Sequence, residues 1–139
     1  MAKNEMNNGD LINLIDNYPG GMFLADLKGN IFALNKNLAF VFNEKRENLI
    51  GKSAYEFLEK LSGKLRGEQL HEVVKTKKPV TFIDCERGKW WRTTFIPVSE
   101  DNGKIELISI YFNEITNEMD KQNEKLLSQE FFYFSLLEH

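Results

Sequence analysis

Apolar residues recur along this chain at helical spacing, then at strand spacing, and each change of period marks a new element. Leu11, Leu14 and Ile15 share one helical face, with Tyr18 a turn further on, Asp10 as cap and Pro19-Gly20-Gly21 as terminator. Met22 to Ala25 and Ile31 to Leu34 read as two strands. Asp26-Leu27-Lys28-Gly29-Asn30 joins them as a turn that Asp opens and Gly closes. Asn35 caps the next helix, whose buried stripe holds Leu38, Val41 and Phe42. After a charged break at Glu44 to Asn48, Ser53 with Glu56 has capping-box spacing, and Tyr55, Leu58 and Leu61 face inward. Leu65 to Lys75 is helical again, with Leu70, Val73 and Val74 apolar and Lys77-Lys78-Pro79 as the stop.

Three strands follow: Val80 to Asp84, Trp90 to Val98 and Ile105 to Ile115. They are separated by a turn at Glu86 to Lys89 and a polar loop at Glu100 to Lys104. With Arg92 outward, period two puts Trp91, Thr93 and Phe95 on the core side and Trp90 and Ile96 on the outer side. Pro97 suits an edge or exit position. Two strands, several short helices and three strands give an α+β fold: a five-stranded antiparallel sheet with short helices on one face, flanked by N- and C-terminal helices. From Asn117 the chain turns polar and helix-forming, and Ile115, Met119, Gln122 and Leu126 have the 4-3-4 spacing of a short coiled-coil seam. Phe131, Phe132 and Phe134 beyond it are too apolar to stand bare. The expected organisation is a disordered stretch at 1–9, a globular domain at 10–116, an exit helix at 117–136, and at 137–139, Leu-Glu-His, the start of a purification tag.

Composition narrows the function. The 139 residues are 42% hydrophobic and 12% aromatic, with eleven Phe, enough for a thick core or an aromatic-lined pocket. A net charge of -3 gives no basic balance to draw nucleic acid, and Lys75, Lys77 and Lys78 read as a solvated helix end. The single Cys85 forms no internal disulfide, which points to a reducing, cytoplasmic setting. No apolar run approaches the roughly 20 residues of a bilayer span, and no secretory leader is visible. Sequence signatures of zinc proteases, phosphate loops and serine hydrolases are all missing. Asp84 and Glu86 share a strand face without an evident substrate site, and His71 with Cys85 is too small a set for a metal. A non-catalytic binding module is expected.

Four segments resemble the PAS family, over roughly Asp10 to Thr116. They are Asp26-Leu27-Lys28-Gly29-Asn30-Ile31-Phe32-Ala33-Leu34-Asn35; Glu47-Asn48-Leu49-Ile50-Gly51-Lys52-Ser53; Gly88-Lys89-Trp90-Trp91-Arg92 with Ile96-Pro97-Val98; and Glu114-Ile115-Thr116. The third resembles a subgroup whose fourth strand carries Trp and Arg and ends in Pro-Val. The fourth keeps the family's charge but has Glu114 where Asp is usual. The resemblance implies a sensory module of a larger receptor, histidine kinase-like or similar. Its signal would pass along Glu114, Ile115 and Thr116 into the C-terminal helix and on to an output domain. Homodimerisation through the terminal helices is implied with it. The alternatives are a ligand-free dimerisation module and a stand-alone small-molecule-binding α+β protein.

Phe40, Phe42, Phe57, Trp91 and Phe95 are candidates to line a pocket for a planar or fatty small molecule, and core packing accounts for them as well. His71 joins them because haem-binding relatives carry a His on this helix. It lies nearer the following strand than in those relatives, which favours a solvated or capping histidine. Cys85, beside Glu86, reads as a structural thiol, since a neighbouring carboxylate discourages thiolate formation. Light-sensing flavin relatives carry Asn-Cys-Arg, where this chain has Asn43-Glu44-Lys45-Arg46, so no photochemical adduct is expected. The residues name no cofactor.

Overall fold

The computed structural model describes residues 8–62, 64–99 and 105–137, with 8, 62, 64, 65, 105, 106 and 127–137 described by backbone alone. The expected disorder at 1–9 falls mostly outside the described residues, as do the loop at 100–104 and most of the tag remnant. The element order is α1 (Asn8–Asp16), β1 (Gly21–Asp26), β2 (Ile31–Leu34), α2 (Lys36–Val41), α3 (Arg46–Leu49), α4 (Ala54–Ser62), α5 (Lys64–Thr76), β3 (Val80–Glu86), β4 (Lys89–Ser99), β5 (Ile105–Glu114) and α6 (Thr116–Leu137). The five strands form one antiparallel sheet in the order β2-β1-β5-β4-β3. The last strand therefore lies at the centre, beside the first.

Strand alternation divides the apolar residues between two faces. Phe23, Ala25, Phe95, Ile108, Ile110 and Phe112 point to the side covered by the helices between β2 and β3, where Leu38, Leu58, Leu70 and Val73 complete the main core. Met22, Leu24 and Ala33 point the other way and are covered by Ile15 and Leu11 of α1. Leu14, expected on the buried stripe of α1, is 59% exposed, because a single helix over a sheet edge buries only the strip that touches it. Asp10 sits in the first turn of α1 rather than capping it, where its carboxylate still suits the helix dipole. The charged break at Glu44 to Asn48 contains the short helix α3.

Asn35 joins three elements. Its side-chain oxygen accepts from the backbone N–H of Leu38 at 3.1 Å, capping α2, and from Met22 N–H at 3.0 Å. Its Nδ2 donates to the carbonyls of Ile15 at 3.1 Å and Gly20 at 2.8 Å. All four hydrogen-bonding positions of a fully buried amide are filled. Nearby, the Arg46 guanidinium grips both oxygens of Asp16, at 3.1 and 2.9 Å, fixing α1 to the start of α3. In the first hairpin, Asp26 Oδ1 accepts from Lys28 N–H and Asn30 N–H, and Gly29 turns at φ 88. A Cβ on Gly29 would stand 2.2 Å from the Tyr55 ring, so this glycine is required by both conformation and contact.

The β3–β4 turn is tighter than expected, with only Arg87 (φ 53) and Gly88 (φ 79) between the strands. Positive φ at both positions matches the strand twist of a two-residue hairpin. Pro97 takes the edge position expected of it, although β4 as a whole lies inside the sheet. Pairing of β4 with β3 runs only from Phe95 back to Lys89, so at Pro97 the strand has β5 on one side and no partner on the other.

Candidate functional site

One end of the main core opens as a cleft of about 380 Å³ between the sheet and the covering helices. Its apolar wall is Leu38, Val41 and Phe42 of α2, Leu61 of α4, Trp91 of β4 and Phe112 of β5. The β1 backbone reaches it at Gly21, where an added Cβ would press on Leu38 at 3.2 Å. The rim is charged: Lys60 from α4, and Asp84, Glu86, Arg87 and Lys89 from the β3–β4 hairpin. A volume in the range that small-molecule sites occupy, apolar walls and a few converging polar groups are the features of a binding cleft.

Four rings run in contact from the wall through the core and back to the wall. Phe42 lies 4.4 Å from Phe57, Phe57 meets Phe23 edge-on at 5.3 Å, and Phe23 stacks on Phe112 at 6.0 Å. A molecule pressing on Phe42 or Phe112 therefore presses on the core, which is dense enough to transmit the displacement.

Beside the cleft the last strand passes into α6. Ile115 N–H donates to the carbonyl of Trp90 at 2.8 Å, and Trp90 N–H donates to Thr116 Oγ1 at 3.0 Å. Lys89 stands 3.8 Å from Glu114, and Arg92 stands 3.6 Å from Glu118 in the first turn of α6. These ion pairs are exposed and of small energetic weight, so the two backbone-anchored hydrogen bonds carry the attachment. Ile115 is buried, pinning the root of the helix. Trp90 holds this junction while its neighbours Lys89 and Trp91 line the cleft.

The family model described as PAS fold matches residues 15–120, well over half of the chain. The chain belongs to this family. No curated protein sequence matches it. Among solved structures, it is similar to an RNA-binding light-oxygen-voltage receptor, at 18% identity over 91% of this chain and 38% of that one, with a TM-score of 0.63. It is also similar to the PAS domain of BvgS from Bordetella pertussis, at 18% identity over 86% of this chain and 95% of that one, TM-score 0.61. The PAS domain of the histidine kinase ThkA matches at 22% identity over 68% of this chain and 97% of that one, TM-score 0.57. The chain thus spans nearly all of the excised sensor domains but little more than a third of the light-oxygen-voltage receptor. At these identities the likeness concerns the fold.

In this PAS domain the aromatic candidates separate. Phe42 and Trp91 line the cleft, while Phe57 and Phe95 lie behind it, 5% and 0% exposed, as core. Phe40 is outside the cleft and 86% exposed, since it follows the buried pair Leu38 and Ala39 on α2 and the helix turns it to solvent. His71 is also outside, exposed on α5, with its ring stacked on Tyr55 at 4.0 Å. Burial pushes the Tyr55 phenol above its ordinary 10.0. Cys85 is exposed on the outer side of β3 and packs no core, contrary to the structural role expected of it. Among the described residues, no three His, Cys, Asp or Glu are grouped to hold a metal, and no helix is long and apolar enough to cross a membrane.

The sequence reading missed the charged half of the site. Asp84 and Glu86, passed over as a strand pair without a site, both reach the rim of the cleft. Asp84 is held by Arg66 of α5, which is 3% exposed, also bonds Gln69, and lies 4.9 Å over the Phe82 ring. The signal was present: Arg66, Leu70 and Val73 have 4-3 spacing, and Asp84 alternates with Val80 and Phe82 on the inward side of β3. A charge at helical spacing and one at strand spacing, both inward, mark a pair whose arginine is buried and whose carboxylate reaches the rim.

Proposed function

We propose that this PAS domain is a non-catalytic sensory module. A small molecule in the cleft biases the β4–α6 junction, and α6 carries the change to an output domain of the parent protein. The observation that carries this reading is the shared footing of cleft and junction: Lys89 and Trp91 line the cleft, and Trp90 between them anchors Ile115 and Thr116. A ligand would shift the junction by no more than its difference in affinity for the two arrangements. Sensor histidine kinases among the structural neighbours support a signalling role. The signal chain is Glu114, Ile115 and Thr116, and the working form is a homodimer through the terminal helices.

Val41→Trp, which puts an indole into the mouth of the cleft, mimics occupancy. In backbone amide NMR spectra it is expected to move the resonances of Trp90, Ile115, Thr116 and Met119 as well as those of the cleft wall. Changes confined to the wall would sink the relay. The second reading, a dimerisation module with no ligand, draws on Leu126 of α6, 57% exposed on the candidate seam.

A further inference from the structure

The charge on the cleft rim and the groups that neutralise it select the ligand. Three cations reach the cleft, Lys60, Arg87 and Lys89, against two carboxylates, Asp84 and Glu86. The carboxylates do not count equally. Asp84 is already paired with Arg66, a guanidinium buried to 3% exposure whose Nε has no hydrogen-bond partner among the described residues. The single positive charge of that guanidinium cancels the Asp84 carboxylate. Lys89 has only the loose, exposed contact with Glu114, and Lys60 and Arg87 make no ion pair among the described residues. Glu86 is then the one rim anion facing three cations. Below the rim, Phe42, Leu61 and Phe112 offer no polar side-chain group to a ligand, and the polar groups of the lining there are the indole N–H of Trp91 and the hydroxyl of buried Thr93.

Resting on the reading of the cleft as a small-molecule site, we propose that it takes an amphipathic organic carboxylate, its apolar body against the aromatic wall and its charged head at the Lys60–Arg87–Lys89 rim. The rim is a region of positive potential over a low-dielectric wall, where an anion is both steered and held more strongly than in open water. A cationic head would meet three like charges, and a neutral one would leave them unengaged.

Two matched trios of probes test this by titration calorimetry and amide NMR: octanoate, octanol and octylammonium, and 1-naphthoate, naphthalenemethanol and naphthylmethylammonium. In at least one trio the carboxylate is expected to bind about tenfold tighter than its alcohol, with the ammonium weakest. Shifted amides should fall at Gly21, Leu61 and Trp91. In Lys60→Glu/Arg87→Glu, both at exposed positions, the order should invert in favour of the ammonium. Alcohols or ammoniums that bind at the cleft as well as the carboxylates would overturn the charge selection and leave the cleft reading intact. If no probe of either trio shifts a cleft amide, the cleft reading fails with it.

Discussion

Asn35 shows how one side chain can do more than its local motif suggests. A helix N-cap is satisfied by Asp as readily as by Asn, and capping alone would make Asn35→Asp nearly neutral. The structure gives Asn35 two donor bonds to the carbonyls of Ile15 and Gly20 as well as its two acceptor bonds. Asp would set a carboxylate oxygen against those two carbonyls. Asn35→Asp and Asn35→Ala are both expected to cost about 3 kcal/mol, since each leaves buried polar groups unpaired. Urea unfolding followed by circular dichroism measures this, and a loss below 1 kcal/mol for Asn35→Asp, about the weight of a cap alone, would mean that the donor bonds contribute little. The cap was legible in the sequence because Asn35 stands directly before an apolar stripe. The other three bonds were not, because their partners lie up to 20 residues away.

Among the elements, the connection on which the proposed relay depends is between β4 and α6. Thr116 starts α6, and its hydroxyl accepts a hydrogen bond from Trp90 across 26 positions of sequence. Thr116→Val keeps the shape and removes the acceptor. It is expected to destabilise the domain by about 1 kcal/mol and to speed amide exchange through the first turn of α6, with the rest of the sheet unchanged. Hydrogen exchange read by mass spectrometry checks it; unchanged exchange in α6 would show that Ile115 alone roots the helix. The elements themselves were largely legible. Period two placed Thr93 and Phe95 inward and Ile96 outward, as found. Less legible was α3, four residues long and without an apolar period.

For the whole molecule, the proposed dimer is what would convert a shift at the junction into a signal. Leu126 is 57% exposed on the same seam as buried Ile115 and half-buried Met119. Leu126→Glu is expected to weaken self-association at least about tenfold in analytical ultracentrifugation, with the circular dichroism spectrum unchanged. A dimer of unaltered strength would move the interface off this helix. Other apolar residues left exposed on the outer sheet side, Ile83 and Ile96, are the next surface to mutate in that case.

Local sequence pattern was enough for the strands and the longer helices, the two-sided apolar pattern of the strands, the cap at Asn35, the turn at Gly29 and the family. Each depends on contacts between near neighbours or on a period that one segment shows alone. Which aromatics line a cleft and which fill the core depended on how the elements pack together. Phe42 and Phe57 are alike in sequence, and their roles differ only through the helices packed around them. The tertiary structure also decided the rim. The β3–β4 hairpin folds Asp84, Glu86, Arg87 and Lys89 over the end of the core, opposite Lys60 of α4. Four of these charges are neighbours in the sequence, and Lys60 joins them only because α4 packs beside that end of the sheet.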